Sequence, residues 1–277
     1  MSTPQTIALG AIAGFTIFLG LPVGRMRTQN KRLKTFLSGI SAGVLAFLFV
    51  EIMEHAFVPV EDAVKHAQST HAAWGRFIGL GAVYALGFAA GLLTLLYVLR
   101  MLKPKAAQSI GPGAMAVAEV DAHLAKREAL HLGMSIAGAI GLHNFSEGLA
   151  IGQSAHTGQT SLALLLVIGF ALHNATEGFG IVGPLAGANT VASWRWLALA
   201  GLVGGGPTFL GTIVGQSFTN EFVSVAFLAM AGGAMLYVIG ELFIGGRKLD
   251  WSMMLWGAFA GFVIAAATEI ILVLAGA

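Results

Sequence analysis

The chain has 277 residues, of which 56% are hydrophobic and only 10% are charged, whereas soluble domains carry about 25% charged residues. This composition excludes a soluble globular domain and predicts an all-α polytopic membrane protein with a single transmembrane domain. Cysteine is absent, which excludes disulfides and thiolate metal sites. Any metal ion must therefore be bound by nitrogen and oxygen ligands.

Eight apolar runs are long enough to cross a membrane. In chain order these spans 1 to 8 cover residues 6–23, 35–58, 74–99, 129–152, 161–183, 196–215, 222–244 and 252–275. The longest connection, residues 100–128, is interrupted by Gly111-Pro112-Gly113 and is predicted to end in a short amphipathic helix. Span 1 lacks the basic start and the cleavage site of a signal peptide.

Glycines four residues apart recur in these spans, and this spacing lets membrane helices approach closely. The pairs are Gly10/Gly14, Gly39/Gly43, Gly87/Gly91, Gly211/Gly215 and Gly257/Gly261.

The distribution of positive charge predicts the orientation of the chain. The loops that follow spans 1, 3, 5 and 7 contain 13 of the 15 Lys and Arg residues. Because cytoplasmic loops are enriched in Lys and Arg, these loops are predicted to be cytoplasmic, including residues 100–128. Both termini are then outside.

Spans 4 and 5 each contain a copy of one hexapeptide, thirty residues apart. The copies are His143-Asn144-Phe145-Ser146-Glu147-Gly148 and His173-Asn174-Ala175-Thr176-Glu177-Gly178. A His and a Glu four residues apart project from the same face of a helix. If the two helices are antiparallel, His143 lies near Glu177 and Glu147 lies near His173.

Four ionisable side chains at one depth in a membrane indicate a functional site. Each charged group costs about 2.5–3.5 kcal/mol on insertion scales. The alternative, a hydrogen-bonded cluster that only holds the helices together, gains about 0.6 kcal/mol per bond in membrane proteins. Imidazole and carboxylate groups suit Zn²⁺ and related divalent ions. We therefore expect His143, Glu147, His173 and Glu177 to bind a metal ion.

This paired motif, in an eight-span protein with outside termini, resembles the ZIP (Zrt/Irt-like) divalent metal transporters, and most closely their GufA-like prokaryotic branch. Residues 42–54 and 233–241 also look like the second and seventh helices of that family. The resemblance implies a 3+2+3 arrangement, in which spans 6–8 repeat spans 1–3 in inverted orientation around spans 4 and 5. It also implies a prokaryotic plasma (inner) membrane protein.

The resemblance further implies that the His and Glu residues of both motifs form one metal site, and that Asn144 and Asn174 contribute to a second. Two departures affect this expectation. Ser146 and Thr176 replace a Pro found in many members, so a kink that frees backbone ligands is less expected. Gly206 precedes Pro207 where many members have Glu, so we expect one well-formed site.

Several candidates have more than one interpretation. Asn144 and Asn174 fit metal ligands, partners that orient the histidines, or packing hydrogen bonds. In the outer half of span 2, Glu51, Glu54 and His55 fit either an entrance site or residues at the water interface, and Glu51 is the strongest of the three. Glu241 fits an exit-side ligand and a span-end residue that reaches water equally well. Glu269 is interpreted as structural.

We predict a transporter that moves Zn²⁺, or Fe²⁺, Mn²⁺ or Cd²⁺, toward the cytoplasm by alternating access. The metal ion is the substrate, and no cofactor and no nucleic-acid partner is expected. The partners are metal ions and the lipid bilayer, and the Gly-rich faces permit a homodimer. The alternative is an intramembrane zinc-dependent hydrolase, but the chain lacks His-Glu-x-x-His, and four ligands leave no position for water. For these two reasons we do not expect an enzyme. A third alternative, a proton or monovalent-ion channel, would not need paired imidazoles at matched depth.

Overall fold

The computed structural model describes residues 1–25, 30–72, 74–102, 114–187, 190–217 and 220–275. Every regular element in these ranges is helical, which confirms the predicted all-α fold. The elements are α1 (Thr3–Phe15), α2 (Ile17–Gly20), a 3-10 turn (Leu21–Arg25), α3 (Lys31–Thr70), α4 (Trp74–Leu102), α5 (Ala114–His156), α6 (Thr160–Gly187), α7 (Trp194–Gly215), α8 (Glu221–Arg247) and α9 (Trp251–Ala275). Span 1 corresponds to α1, α2 and the 3-10 turn, and spans 2 to 8 lie in α3 to α9.

Seven helical segments in the described part of the chain are long and apolar enough to cross a membrane. They lie in span 1 and in every later helix except α5. Helix α5 is long enough, but polar residues such as His143, Asn144 and Glu147 lower the mean hydropathy of its apolar stretch. The protein is thus an integral membrane protein, and the long helix α5, which is not among these seven segments, carries one copy of the motif.

Helix α3 is longer than the sequence predicted. It has 40 residues and continues through Pro59 to Thr70, although we expected span 2 to end at residue 58. At 1.5 Å per residue it is about 60 Å long, roughly twice the thickness of a hydrocarbon core. Pro59 does not end the helix because the following turns are packed: Val60 and Ala63 are buried with Leu80 of α4 and Val225 of α8.

Helix α5 has 43 residues and begins within the predicted connection 100–128. The expected amphipathic helix is therefore continuous with span 4. Residues 114–132 contain neither Gly nor Pro and are rich in strong helix formers, so nothing in them ends the helix. The break expected at Gly111-Pro112-Gly113 lies outside the described residues.

The predicted glycine pairs all lie where helices of this chain cross. A Cβ added to Gly257 of α9 would meet the backbone of Phe36 and lie 2.9 Å from the Cα of Gly39 in α3. The remaining pairs bring α1 against α7, α4 against α8, and α7 against α5. These glycine faces are occupied by other helices of the same chain, so they are not available as a dimer surface. The homodimer itself stays a prediction.

The helices that carry the motif are central in the packing. Helix α5 packs most extensively against α7 and also contacts α6 and α8. Helix α6 contacts α1, α2 and α3, while α3 packs mainly on α9, and α4 on α8. The largest core cluster joins Ile136 and Ile140 of α5, Ile181 of α6, and Leu45 and Leu48 of α3. This core fixes the two motif helices relative to α3.

Candidate metal centre

The two motif copies lie on α5 and α6, which pack against each other on either side of the turn at residues 157–159. Gly158 in this turn has a φ of 77°, a conformation that favours glycine. In α5, His143 Nε2 lies 3.1 Å from Glu147 Oε1, as expected for side chains four residues apart. These two side chains and that of Glu177 in α6 are buried. The turn thus brings an imidazole and two carboxylates into the protein interior.

Asn144 connects α5 to both neighbouring helices. Its Nδ2 lies 2.6 Å from Asn174 Oδ1, 3.1 Å from Glu177 Oε2 and 3.0 Å from the carbonyl oxygen of Gly204 in α7. Because three oxygen acceptors surround this end of the amide, it must be the NH₂ group, and the opposite end is Oδ1. The orientation of the Asn144 side chain is therefore determined by its surroundings.

Three oxygen atoms of this cluster are buried and accept no hydrogen bond from the residues that the structure describes. They are Asn144 Oδ1, Glu147 Oε2 and Glu177 Oε1. A buried acceptor without a partner costs about 1–3 kcal/mol, and more when it is charged. Oxygen atoms of this kind are the hard ligands that divalent cations accept. Each of the three is therefore a candidate metal ligand.

His173, the fourth predicted ligand, lies on α6 one residue before Asn174, but its side chain is outside the described part of the chain. Among the described side chains, no group of three or more His, Asp or Glu residues could hold a metal ion as it stands. The contribution of His173 therefore stays a prediction based on its place in the motif.

Glu51 of α3 is linked to the central cluster. Its Oε2 is buried and has no hydrogen-bond partner among the described residues, and its charge interacts with those of His143 and Glu147. The side chains of Glu54 and His55 are exposed, and His55 Nδ1 is 2.9 Å from the carbonyl oxygen of Glu51. Of the three candidates in span 2, only Glu51 combines a buried oxygen with an electrostatic link to the cluster.

Sequence reasoning did not select Glu269 of α9 for this site. Its charge interacts with those of Glu51 and Glu147, so it lies near the cluster. The signal that could have identified it is a single carboxylate in an otherwise apolar span. Such a residue is costly to place in a membrane and therefore indicates a functional site. Two backbone oxygens, those of Gly204 and Ala13, were also missed, because a sequence does not reveal which carbonyls a side chain will reach.

Glu241 of α8 is half-buried and accepts a hydrogen bond of 2.9 Å from the hydroxyl of Tyr237, one turn earlier. This contact fits both interpretations of Glu241, since a hydrogen-bonded carboxylate can remain structural or serve as a ligand. Its role as an exit-side ligand stays a prediction.

The departures from the family pattern have visible consequences. Helices α5 and α6 remain regular through Ser146 and Thr176, so the backbone there is not opened for ligation. At Gly206, an added Cβ would meet, among the described residues, only the Leu202 side chain, at 3.5 Å. The nearby carbonyl of Gly204 instead accepts the hydrogen bond from Asn144.

Comparisons with known proteins find similarity to zinc transporters. A family model described as ZIP Zinc transporter matches residues 115–239, which include both motif copies and end in α8. The chain is also similar to the zinc transporter ZupT of Corynebacterium aurimucosum, with 25% identity over 272 residues that cover 94% of each chain. This second similarity extends across nearly the whole set of helices.

Proposed function

We propose that this chain, which belongs to the ZIP family of metal transporters, moves Zn²⁺ toward the cytoplasm through a site between α5 and α6. Members of this family are membrane transporters and not enzymes. Membership of this family supports the proposal that the chain transports a divalent metal ion. The similarity of the chain to a zinc transporter favours zinc as that ion. Fe²⁺, Mn²⁺ and Cd²⁺ are the further candidates, since imidazole and carboxylate ligands also accept other divalent ions.

One observation carries the proposed site: the three buried oxygens of Asn144, Glu147 and Glu177 that accept no hydrogen bond among the described residues. They come from both motif helices. The Glu147 carboxylate lies 3.1 Å from the His143 imidazole through its other oxygen, and the Glu177 carboxylate interacts electrostatically with that imidazole. We assign His143, Glu147, His173 and Glu177 as the main ligands, with Asn144 Oδ1 as an additional oxygen. The two carboxylates would neutralise one divalent ion, so this set suits a single metal ion.

We place the entrance of the pathway at Glu51 and Glu269. Both carboxylates interact electrostatically with Glu147, so an ion can pass from them to the central ligands without leaving a negative environment. Glu241 is assigned to the exit. This direction assumes the orientation given by the positive-inside rule, with both termini outside the plasma membrane.

The packing of the helices supports an inverted repeat and alternating access. The contact of α3 with α9 is matched by that of α8 with α4, and the contact of α1 with α6 is matched by that of α7 with α5. An exchange of spans 1–3 with spans 6–8, and of span 4 with span 5, converts each contact into its partner. Inverted repeats with a site at their interface commonly work by rocking of one part against the other.

The test is zinc uptake into proteoliposomes that contain a zinc-sensitive dye. We compare wild type with His173→Ala and Glu177→Gln, and use Glu61→Gln as the matched control. Glu61 is a partly exposed carboxylate in an ion pair with Lys65 at 2.7 Å, and such pairs contribute little. We expect uptake by wild type and the control, and none by the two site variants.

Two results would contradict this proposal. A folded wild type that carries none of the four ions would exclude transport by this chain. Uptake that survives in both site variants would exclude the central site, and Glu51 and Glu241 would then be the next residues to replace.

A further inference from the structure

Asn174 differs from its repeat partner Asn144 because both ends of its side-chain amide have partners. Its Oδ1 accepts a hydrogen bond of 2.6 Å from Asn144 Nδ2, and its Nδ2 donates to the carbonyl oxygen of Ala13 at 3.0 Å. In Asn144 only the nitrogen end is bonded, whereas Oδ1 is buried and accepts no hydrogen bond among the described residues. The two asparagines therefore have different environments although their motifs are alike.

The acceptor of Asn174 in the first span lies where that span is interrupted. The helical pattern stops at Phe15 and resumes at Ile17. The carbonyl oxygen of Ala13, one turn before the interruption, also accepts a bond of 2.7 Å from the Thr16 hydroxyl. Asn174 thus connects α6 both to this irregular part of the first span and to α5.

A metal ion on Asn174 Oδ1 would be poorly placed. This oxygen faces the amide hydrogens of Asn144, which carry partial positive charge and would repel a cation. Asn144 Oδ1 belongs to the amide group whose nitrogen bonds Glu177 Oε2. Asn144 Oδ1 itself is buried and faces no hydrogen-bond donor among the described residues, so nothing there opposes a cation.

We propose that Asn174 is a positioning residue and not a metal ligand: it holds the nitrogen end of Asn144, so that Asn144 Oδ1 is available to the transported ion. This inference rests on the proposed function, because it concerns the same site. It predicts that Asn174 influences metal binding only through Asn144. Two independent ligands would instead contribute separately.

A double-mutant cycle tests this prediction, because residues that act through one another are not additive. Zinc affinity is measured by titration calorimetry of the full-length protein in detergent, for wild type, Asn144→Ala, Asn174→Ala and the double variant. Replacing an outer partner of a metal site typically weakens binding about 10–100-fold, and we expect a loss in this range for Asn174→Ala. We expect the double variant to bind zinc as Asn144→Ala does.

A double variant whose loss equals the product of the two single losses would overturn the proposal, because Asn174 would then act as an independent ligand. Asn174→Leu, close to Asn in size, replaces Asn174→Ala in the cycle if the smaller side chain prevents folding.

The same cycle measured as the melting temperature of metal-free protein should also be non-additive, because the hydrogen bond does not require zinc. A wild type that binds no zinc while this stability coupling persists would refute the proposed function and leave the contact intact. Additive melting temperatures would refute the contact itself.

Discussion

Replacing Glu177 by Gln tests two effects of this buried carboxylate separately: its cost to the stability of the metal-free protein, and its contribution to zinc binding. The Glu177 side chain is fully buried; its Oε2 accepts a hydrogen bond from Asn144, while Oε1 accepts none from the described residues. Gln has nearly the same shape, and its carbonyl oxygen can keep the bond from Asn144. The substitution therefore removes a charge and a metal ligand while it preserves the packing.

The metal-free variant should be more stable than wild type. A charged residue in the membrane interior costs about 2.5–3.5 kcal/mol on insertion scales, which is the upper limit of the gain. In contrast, the stabilisation by zinc should almost disappear. An ion present at 100 times its Kd adds about 2.7 kcal/mol to the wild type, and only about 0.4 kcal/mol if the variant binds 100-fold more weakly.

The assay is thermal unfolding of the purified protein in detergent, first with a chelator and then with added zinc. Glu61→Gln is again the control, because its partly exposed ion pair with Lys65 should change neither quantity by more than about 1 kcal/mol. The reasoning would be refuted by a Glu177→Gln protein that is less stable than wild type without metal. It would also be refuted by one that gains as much stability from zinc as the wild type does.

Three further predictions concern pH, packing and orientation. Zinc uptake without a pH gradient should fall as the pH is lowered, because ligands such as His143 bind metal only when deprotonated; a flat profile between pH 5 and 8 would contradict this. Gly257→Leu should lower the free energy of unfolding by about 1–3 kcal/mol through overpacking against α3, whereas Gly240→Leu, which has open space around its position, should not. Because the chain has no cysteine, single variants report orientation: an impermeant maleimide added to intact cells should label Ser2→Cys and not Lys126→Cys, and the opposite result would reverse the proposed orientation.

The apolar runs were sufficient to predict the helical fold, but they did not locate the helix ends. Hydropathy marks the segment that is apolar enough to lie in the membrane, but it does not show where the helix ends. Helix α3 continues to Thr70 because Val60 and Ala63 are buried against other helices. Pro59 directly follows the predicted end of span 2, and it lacks a backbone donor. Its cost is offset by packing that cannot be known before the tertiary structure.

The sequence identified the types of side chain in the centre better than it identified their roles. The repeat suggested that Asn144 and Asn174 are equivalent, yet one bonds the carbonyl of Gly204 and the other that of Ala13. Every residue has a carbonyl, so no residue type marks these two as acceptors. Only the approach of α1 and α7 to the motif helices determines which carbonyls are within reach.

The close contact between α5 and α7 explains how such a polar helix is held in the membrane. Gly148 and Gly211 each bring the partner backbone so near that an added Cβ would collide with it, and Asn144 donates to the Gly204 carbonyl in the same contact. In a membrane, helices associate through this kind of tight packing and hydrogen bonding, because burial of apolar surface gives little gain there. A glutamate at position 206 would add a further carboxylate to α7, and its charge would call for a second cation. With Gly206, α7 supplies a neutral backbone oxygen, and the two carboxylates on α5 and α6 match one divalent ion in charge.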